Sequence, residues 1–123
     1  MPAILCIDGD ETVRDWLDAV LSEAGYEVEL AEMASDVVKP LRDKYTPNLL
    51  ITAFEMSEES ISGLALAKLA RDVHPALPIV FLSDTPVLEK KADEISAPML
   101  ILEKPVGREA LVAAIQGFLG TEI

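Results

Sequence analysis

Five short apolar runs, at residues 4–7, 28–31, 49–52, 79–82 and 99–102, alternate with amphipathic segments along almost the whole chain. Several of these runs are apolar at successive positions rather than at every second one. A strand needs that pattern when both of its faces are covered, as in a parallel sheet. The segments between them carry helical spacing. In the first, Val13, Trp16, Leu17, Val20, Leu21 and Ala24 recur at i, i+3, i+4, i+7, i+8 and i+11, one continuous apolar stripe. Gly25 follows as a stop signal. In the third, Leu66, Leu69, Ala70 and Val73 form a similar stripe that His74-Pro75 ends. The last segment, residues 108–119, is apolar at Leu111, Ile115, Phe118 and Leu119. Strands and helices in alternation, joined by short connections, imply a parallel sheet with right-handed crossovers in a three-layer α/β sandwich.

A chain of 123 residues is expected to form one domain over residues 1–123, long enough for a real core. No apolar run reaches the length needed to span a bilayer. The N-terminus has no basic region followed by an apolar stretch and a small-residue cleavage site, so a cytoplasmic location is expected. The single Cys6 lies within an apolar run, where a buried structural thiol is expected. With 22 acidic against 10 basic residues, the net charge is −12. Such a surface repels phosphate backbones and anionic lipid, which argues against nucleic acid and membrane as partners.

The ends of the apolar runs carry the chemistry. The first ends in Asp8-Gly9-Asp10, and the third runs through Thr52-Ala53-Phe54-Glu55-Met56 into a loop. The fourth closes in Leu82-Ser83 and the fifth in Glu103-Lys104-Pro105. From about residue 3 to residue 119, this arrangement resembles the response-regulator receiver domain of two-component signalling. That family places an acidic pair after the first strand and a phosphorylatable aspartate after the third. A serine or threonine follows the fourth strand and Lys-Pro the fifth. The resemblance implies a flavodoxin-like (βα)5 fold with strand order 2-1-3-4-5. Sites in such sheets form beyond the carboxyl ends of the strands.

By position, Asp8 matches the first residue of the acidic pair and Gly9 the second. Ala53 matches the phospho-acceptor, Glu55 the residue lending its carbonyl to a metal, Ser83 the hydroxyl and Lys104 the lysine. Arg14 on the first helix also fits the family's spacing. Receiver chemistry is attack by a carboxylate on a phosphoryl group, with Mg²⁺ neutralising the crowded charge. A methyl group at position 53 has no lone pair, and Gly9 removes a further ligand. Magnesium binding is therefore expected to be weak or absent, with Asp8 the best remaining ligand and Asp10 or Glu55 as partial substitutes. No cofactor is expected. Lys104 has two readings: it pairs with Asp8 and locks the pocket, or the Lys104-Pro105 step serves turn geometry with the ammonium solvated. Asp84 would narrow the pocket, or cap the next helix with Thr85-Pro86.

Two further departures accompany these. The loop 56–63 is two residues longer than the family pattern and lacks its proline, a cheap change for a surface loop. The rotameric aromatic of the fifth strand is replaced by Ile101, which is stiff and has no hydroxyl.

The expectation is a degenerate receiver, a pseudo-receiver that presents a fixed surface to a protein partner within a phosphorelay network. That partner would be a histidine kinase, a phosphotransfer protein or an output protein. Residues 87–95, the fifth strand and the last helix are the candidate surface, with Ile101 beside Val106 as an apolar contact spot if exposed, and also as a route to a homodimer. The alternatives are a receiver phosphorylated on Asp8, Asp10 or Glu55, and a normal regulator in which the acceptor was replaced by engineering. An enzyme or nucleotide carrier on the same fold is disfavoured. Gly9 stands alone without a phosphate-cradling glycine loop, and His74 is the single histidine.

Overall fold

The computed structural model describes residues 2–33, 35–43, 46–54, 63–83, 95 and 98–120. Five strands, β1 (Ala3–Ile7), β2 (Glu27–Ala31), β3 (Leu49–Ala53), β4 (Ile79–Ser83) and β5 (Met99–Glu103), form one parallel sheet in the order β2-β1-β3-β4-β5. The helices described are α1 (Glu11–Glu23), α2 (Ser35–Asp43), α3 (Gly63–Val73) and α4 (Arg108–Leu119). The sheet has the expected strand order, and each strand is one residue longer than its apolar run. The helix expected over residues 87–95 falls outside the described residues, apart from buried Ile95.

Burial follows the sequence pattern strand by strand. The central strands β3 and β4, Leu-Leu-Ile-Thr-Ala and Ile-Val-Phe-Leu-Ser, are buried at every position, whereas the edge strands β2 and β5 are not. Successive side chains point to opposite faces, so each strand serves two cores. Leu5, Ile7, Leu50, Ile79 and Phe81 pack under α2 and α3, against Val37, Leu41, Leu66, Ala67 and Ala70. Ile4, Cys6, Leu49, Ile51, Val80 and Leu82 pack on the other side, against Leu17, Val20, Leu21, Leu111 and Ile115 of α1 and α4. Phe54 meets Phe81 edge to face, with ring centroids 5.1 Å apart. Burial pushes the Cys6 thiol well above its ordinary range, with nearby Asp18 adding to the effect, so the sulfur is a core atom and not a nucleophile.

Helix α1 is built as its spacing predicts. Asp10 caps it by accepting the Thr12 N–H at 2.8 Å, and Gly25 follows its end at a positive φ of 97°. The stripe on α3 differs from the expectation: Leu66, Ala67 and Ala70 are buried, whereas Val73 is exposed. The helix ends at Val73, and from the turn that follows it is Leu77 that joins the α2–α3 core. Arg71 ties the next turn down, donating to the carbonyls of Leu77 and Pro98, both at 2.6 Å. On the surface, Arg108 of α4 pairs with Glu23 of α1 at 3.1 Å.

Among the described residues, one buried side-chain polar atom is uncompensated. Tyr26 is buried against the α1 side of the sheet, and its hydroxyl has no hydrogen-bond partner. An orphaned buried donor carries its full desolvation penalty. Tyr26→Phe is therefore expected to raise the unfolding free energy by about 1 kcal/mol in urea titrations, with an unchanged m value.

Candidate functional site

The carboxyl ends of β1, β3, β4 and β5 meet at one edge of the sheet. In register, Ile7 lies beside Thr52, and Ala53 beside Leu82, so Asp8, Ala53 and Ser83 follow on adjacent strands. All three are buried, Asp8 being 3 % and Ala53 4 % exposed. The Lys104 ammonium reaches across from beyond β5 and donates to Asp8 Oδ2 at 2.9 Å. Of the two readings of this lysine, the geometry shows the paired one. Its backbone N–H also donates to the Ser83 carbonyl at 2.7 Å, which fixes where the side chain starts. The Lys104-Pro105 peptide is cis.

Asp8 is held on every side. Its Oδ1 accepts the Asp10 N–H at 2.9 Å, its N–H donates to the Ala31 carbonyl at 3.2 Å, and its carbonyl accepts from the Arg14 guanidinium at 2.7 Å. Asp10, a potential substitute ligand on sequence grounds, is instead engaged at the N-terminus of α1. Glu55, Asp84 and the loop over residues 56–62 lie outside the described residues.

A hard divalent cation such as magnesium wants several oxygen ligands in near-octahedral array. The described residues alone do not supply that array. Position 53 offers a methyl group, position 9 a hydrogen, and both Asp8 oxygens already accept hydrogen bonds. Among the described residues, no group of three or more acidic, histidine or cysteine side chains converges. Among the described residues, the pocket supplies no carboxylate at position 53 and no cluster of metal-ligating side chains.

Ile101 and Val106 do not form one contact spot. Ile101 is half-buried beside Phe81 and packs into the α2–α3 core that includes Ile95, whereas Val106 packs on the α1–α4 side. Val106 lies three residues past the end of β5, and on the strand itself the exposed large apolar side chain is Leu100. Val106 lines a cavity of about 470 Å³ with Thr12, Val13, Trp16, Leu82 and the Lys104 stem.

Two supporting residues were not singled out from sequence. Thr52, fully buried, donates its hydroxyl to the Ala53 carbonyl at 3.1 Å. Gly63, the first residue of α3, approaches that same carbonyl so closely that a Cβ there would collide with its oxygen. The visible signal was the glycine closing the loop after β3; its packing role needed the fold. Gly63→Ala is expected to cost about 2 kcal/mol of stability in urea unfolding, because backbone, not a flexible side-chain end, has to move.

Residues 4–116 match the family model of the response regulator receiver domain. An NtrX-like response regulator of Rickettsia felis is 22 % identical over 114 residues, covering 92 % of this chain and 24 % of that protein. The DNA-binding transcriptional regulator NtrC of Escherichia coli is 31 % identical over 77 residues, covering 63 % of this chain and 16 % of that protein. The chain thus spans about a quarter or less of the curated relatives it matches. Among solved structures, a response regulator receiver protein from Sinorhizobium medicae superposes with a TM-score of 0.87 at 24 % identity, covering 98 % of this chain and 97 % of that one.

Proposed function

The chain belongs to the response-regulator receiver family of two-component signalling, and we propose that it works there as a pseudo-receiver, a protein-interaction module whose surface is set without phosphorylation. The observation that carries this reading is the closed Asp8–Lys104 pair beside a buried Ala53. In a phosphorylatable pocket the lysine would answer to an acceptor carboxylate and its phosphoryl group. Here the ammonium is satisfied by the carboxylate that would otherwise hold the metal. Among the described residues, the ammonium and the Asp8 carboxylate balance each other, and their pairing favours one arrangement of the pocket.

Magnesium binds weakly or not at all in this reading, and the chain performs no catalysis of its own. The partner is a histidine kinase, a phosphotransfer protein or an output protein, met in the cytoplasm. The net charge of −12 disfavours direct contact with DNA by this chain. No helix among the described residues is long and apolar enough to cross a membrane. A receiver phosphorylated on Asp8 or Asp10 is less well supported, because both side chains are already engaged, one by Lys104 and one as a helix cap.

Ligand binding to the folded state raises the unfolding temperature by mass action. The melting temperature is therefore expected to stay within about 1 °C on adding millimolar magnesium, with or without fluoroberyllate, an analogue of a phosphoryl group on aspartate. A dose-dependent rise of several degrees would contradict the reading.

A further inference from the structure

We propose that the open edge of β2, with the groove between it and α2, docks an extended protein segment in which basic side chains alternate with apolar ones. This inference concerns a surface and not the pocket, so it does not depend on whether the pocket can be phosphorylated.

Among the described residues, strand β2 ends the sheet and pairs only with β1. Glu27 donates its N–H to the Pro2 carbonyl, and the Ala31 carbonyl accepts from Asp8, so these alternate residues face β1. In a parallel ladder the residues between them, Val28 and Leu30, turn their N–H and C=O groups to the open side. That row is a template for a further strand. Beside it runs a cavity of about 560 Å³, lined by half-buried Ala31 and buried Val37 and, at its exposed rim, by Pro40, Glu29, Glu32 and Asp36. Two large apolar side chains stand exposed along the same stretch of chain, Leu30 at 38 %, on the α1 face of the strand, and Met33 at 41 %, just beyond its end.

Charge selects the occupant. Among the described residues, the cavity is lined by three carboxylates and by no lysine or arginine, and Glu27 adds another on the strand. A second copy of the chain would bring the same carboxylates against these across the ladder, which is destabilising. Lysines or arginines flanking apolar residues would satisfy the rim while covering Leu30 and Met33. Backbone bonds would supply affinity and the alternation specificity.

The probe is a fluorescein-labelled peptide of alternating lysine and valine, read by fluorescence anisotropy with the intact chain at physiological salt. A backbone N-methylated version keeps charge and side chains but cannot donate ladder bonds. The unmodified peptide is expected to bind at least about tenfold more tightly than the N-methylated one. Glu29→Lys with Leu30→Asp should weaken binding by about tenfold or more, and Glu109→Lys on α4 by less than about twofold. Equal binding of the two peptides, equal loss from Glu109→Lys, or no binding would overturn the proposal. So would self-association of the chain that Leu30→Asp abolishes. The peptide comparison on the parent chain stands even if a variant fails to fold.

Discussion

Replacing Gly9 and Ala53 together by aspartate is expected to yield a chain that accepts a phosphoryl group in the presence of magnesium, where the proposed pseudo-receiver is expected to accept none. The backbone permits both changes. Nothing lies within 4 Å of a Cβ built at Gly9, and its φ is not in the left-handed region. Ala53 sits at the end of β3 between the strands that lead to Asp8 and Ser83. The double variant would gather three carboxylates around one ammonium. Without metal, like-charge repulsion in a buried pocket should lower its stability below that of the parent by about 2 kcal/mol at neutral pH. Magnesium should restore more than is lost at concentrations about a hundredfold above its dissociation constant, where binding contributes about 2.7 kcal/mol. Ala53→Asp alone regains the nucleophile but only two of the carboxylates, so its phosphorylation should be slower and need more magnesium. Urea unfolding with and without the metal, alongside intact-mass spectra after treatment with acetyl phosphate, reads both effects.

Lys104→Met is the second large perturbation, expected to cost about 3 kcal/mol in urea unfolding. Methionine keeps the stem that lines the cavity near Trp16 and Val106, so the loss reports the ammonium and not the packing. What remains is an Asp8 side chain only 4 % exposed and deprived of its counter-ion, whereas the Lys104 side chain is 18 % exposed. That asymmetry places the effect at the low end of the range for breaking a buried pair. Asp8→Asn in the Lys104→Met background should recover about 1–2 kcal/mol, since it removes the stranded charge. Additive losses in this cycle would mean that the two groups act independently, and that the pocket is not locked by their pairing.

The fold was legible because both faces of the sheet are covered. Runs such as Leu49-Leu50-Ile51 have no polar side to hide, so buried parallel strands were the economical solution. The stripe of α1 gave its buried face and its end at Gly25. The α3 stripe misled at Val73, because periodicity says which side of a helix is apolar and not which residue of the following turn, here Leu77, joins the core at its end. At the site, the positions of Asp8, Ala53, Ser83 and Lys104 could be read from strand ends, since any side chain there projects toward the same crevice. Their pairing could not. Whether the lysine met Asp8 or water depended on a distance of a few ångströms. Ile101 on β5 joins one core and Val106, three residues past the strand's end, the other, a path of the chain that spacing does not reveal. The contact between Gly63 and the Ala53 carbonyl joins residues on either side of a loop, and only the folded chain shows it.

The most direct test of a receiver that works without its reactive group is the intact mass of the unmodified chain after prolonged incubation with acetyl phosphate and magnesium, run beside the double aspartate variant. The parent should emerge unmodified while the variant gains a phosphoryl group that is lost on hydroxylamine treatment. A phosphoryl adduct on the parent, mapped to any of its carboxylates, would contradict the account.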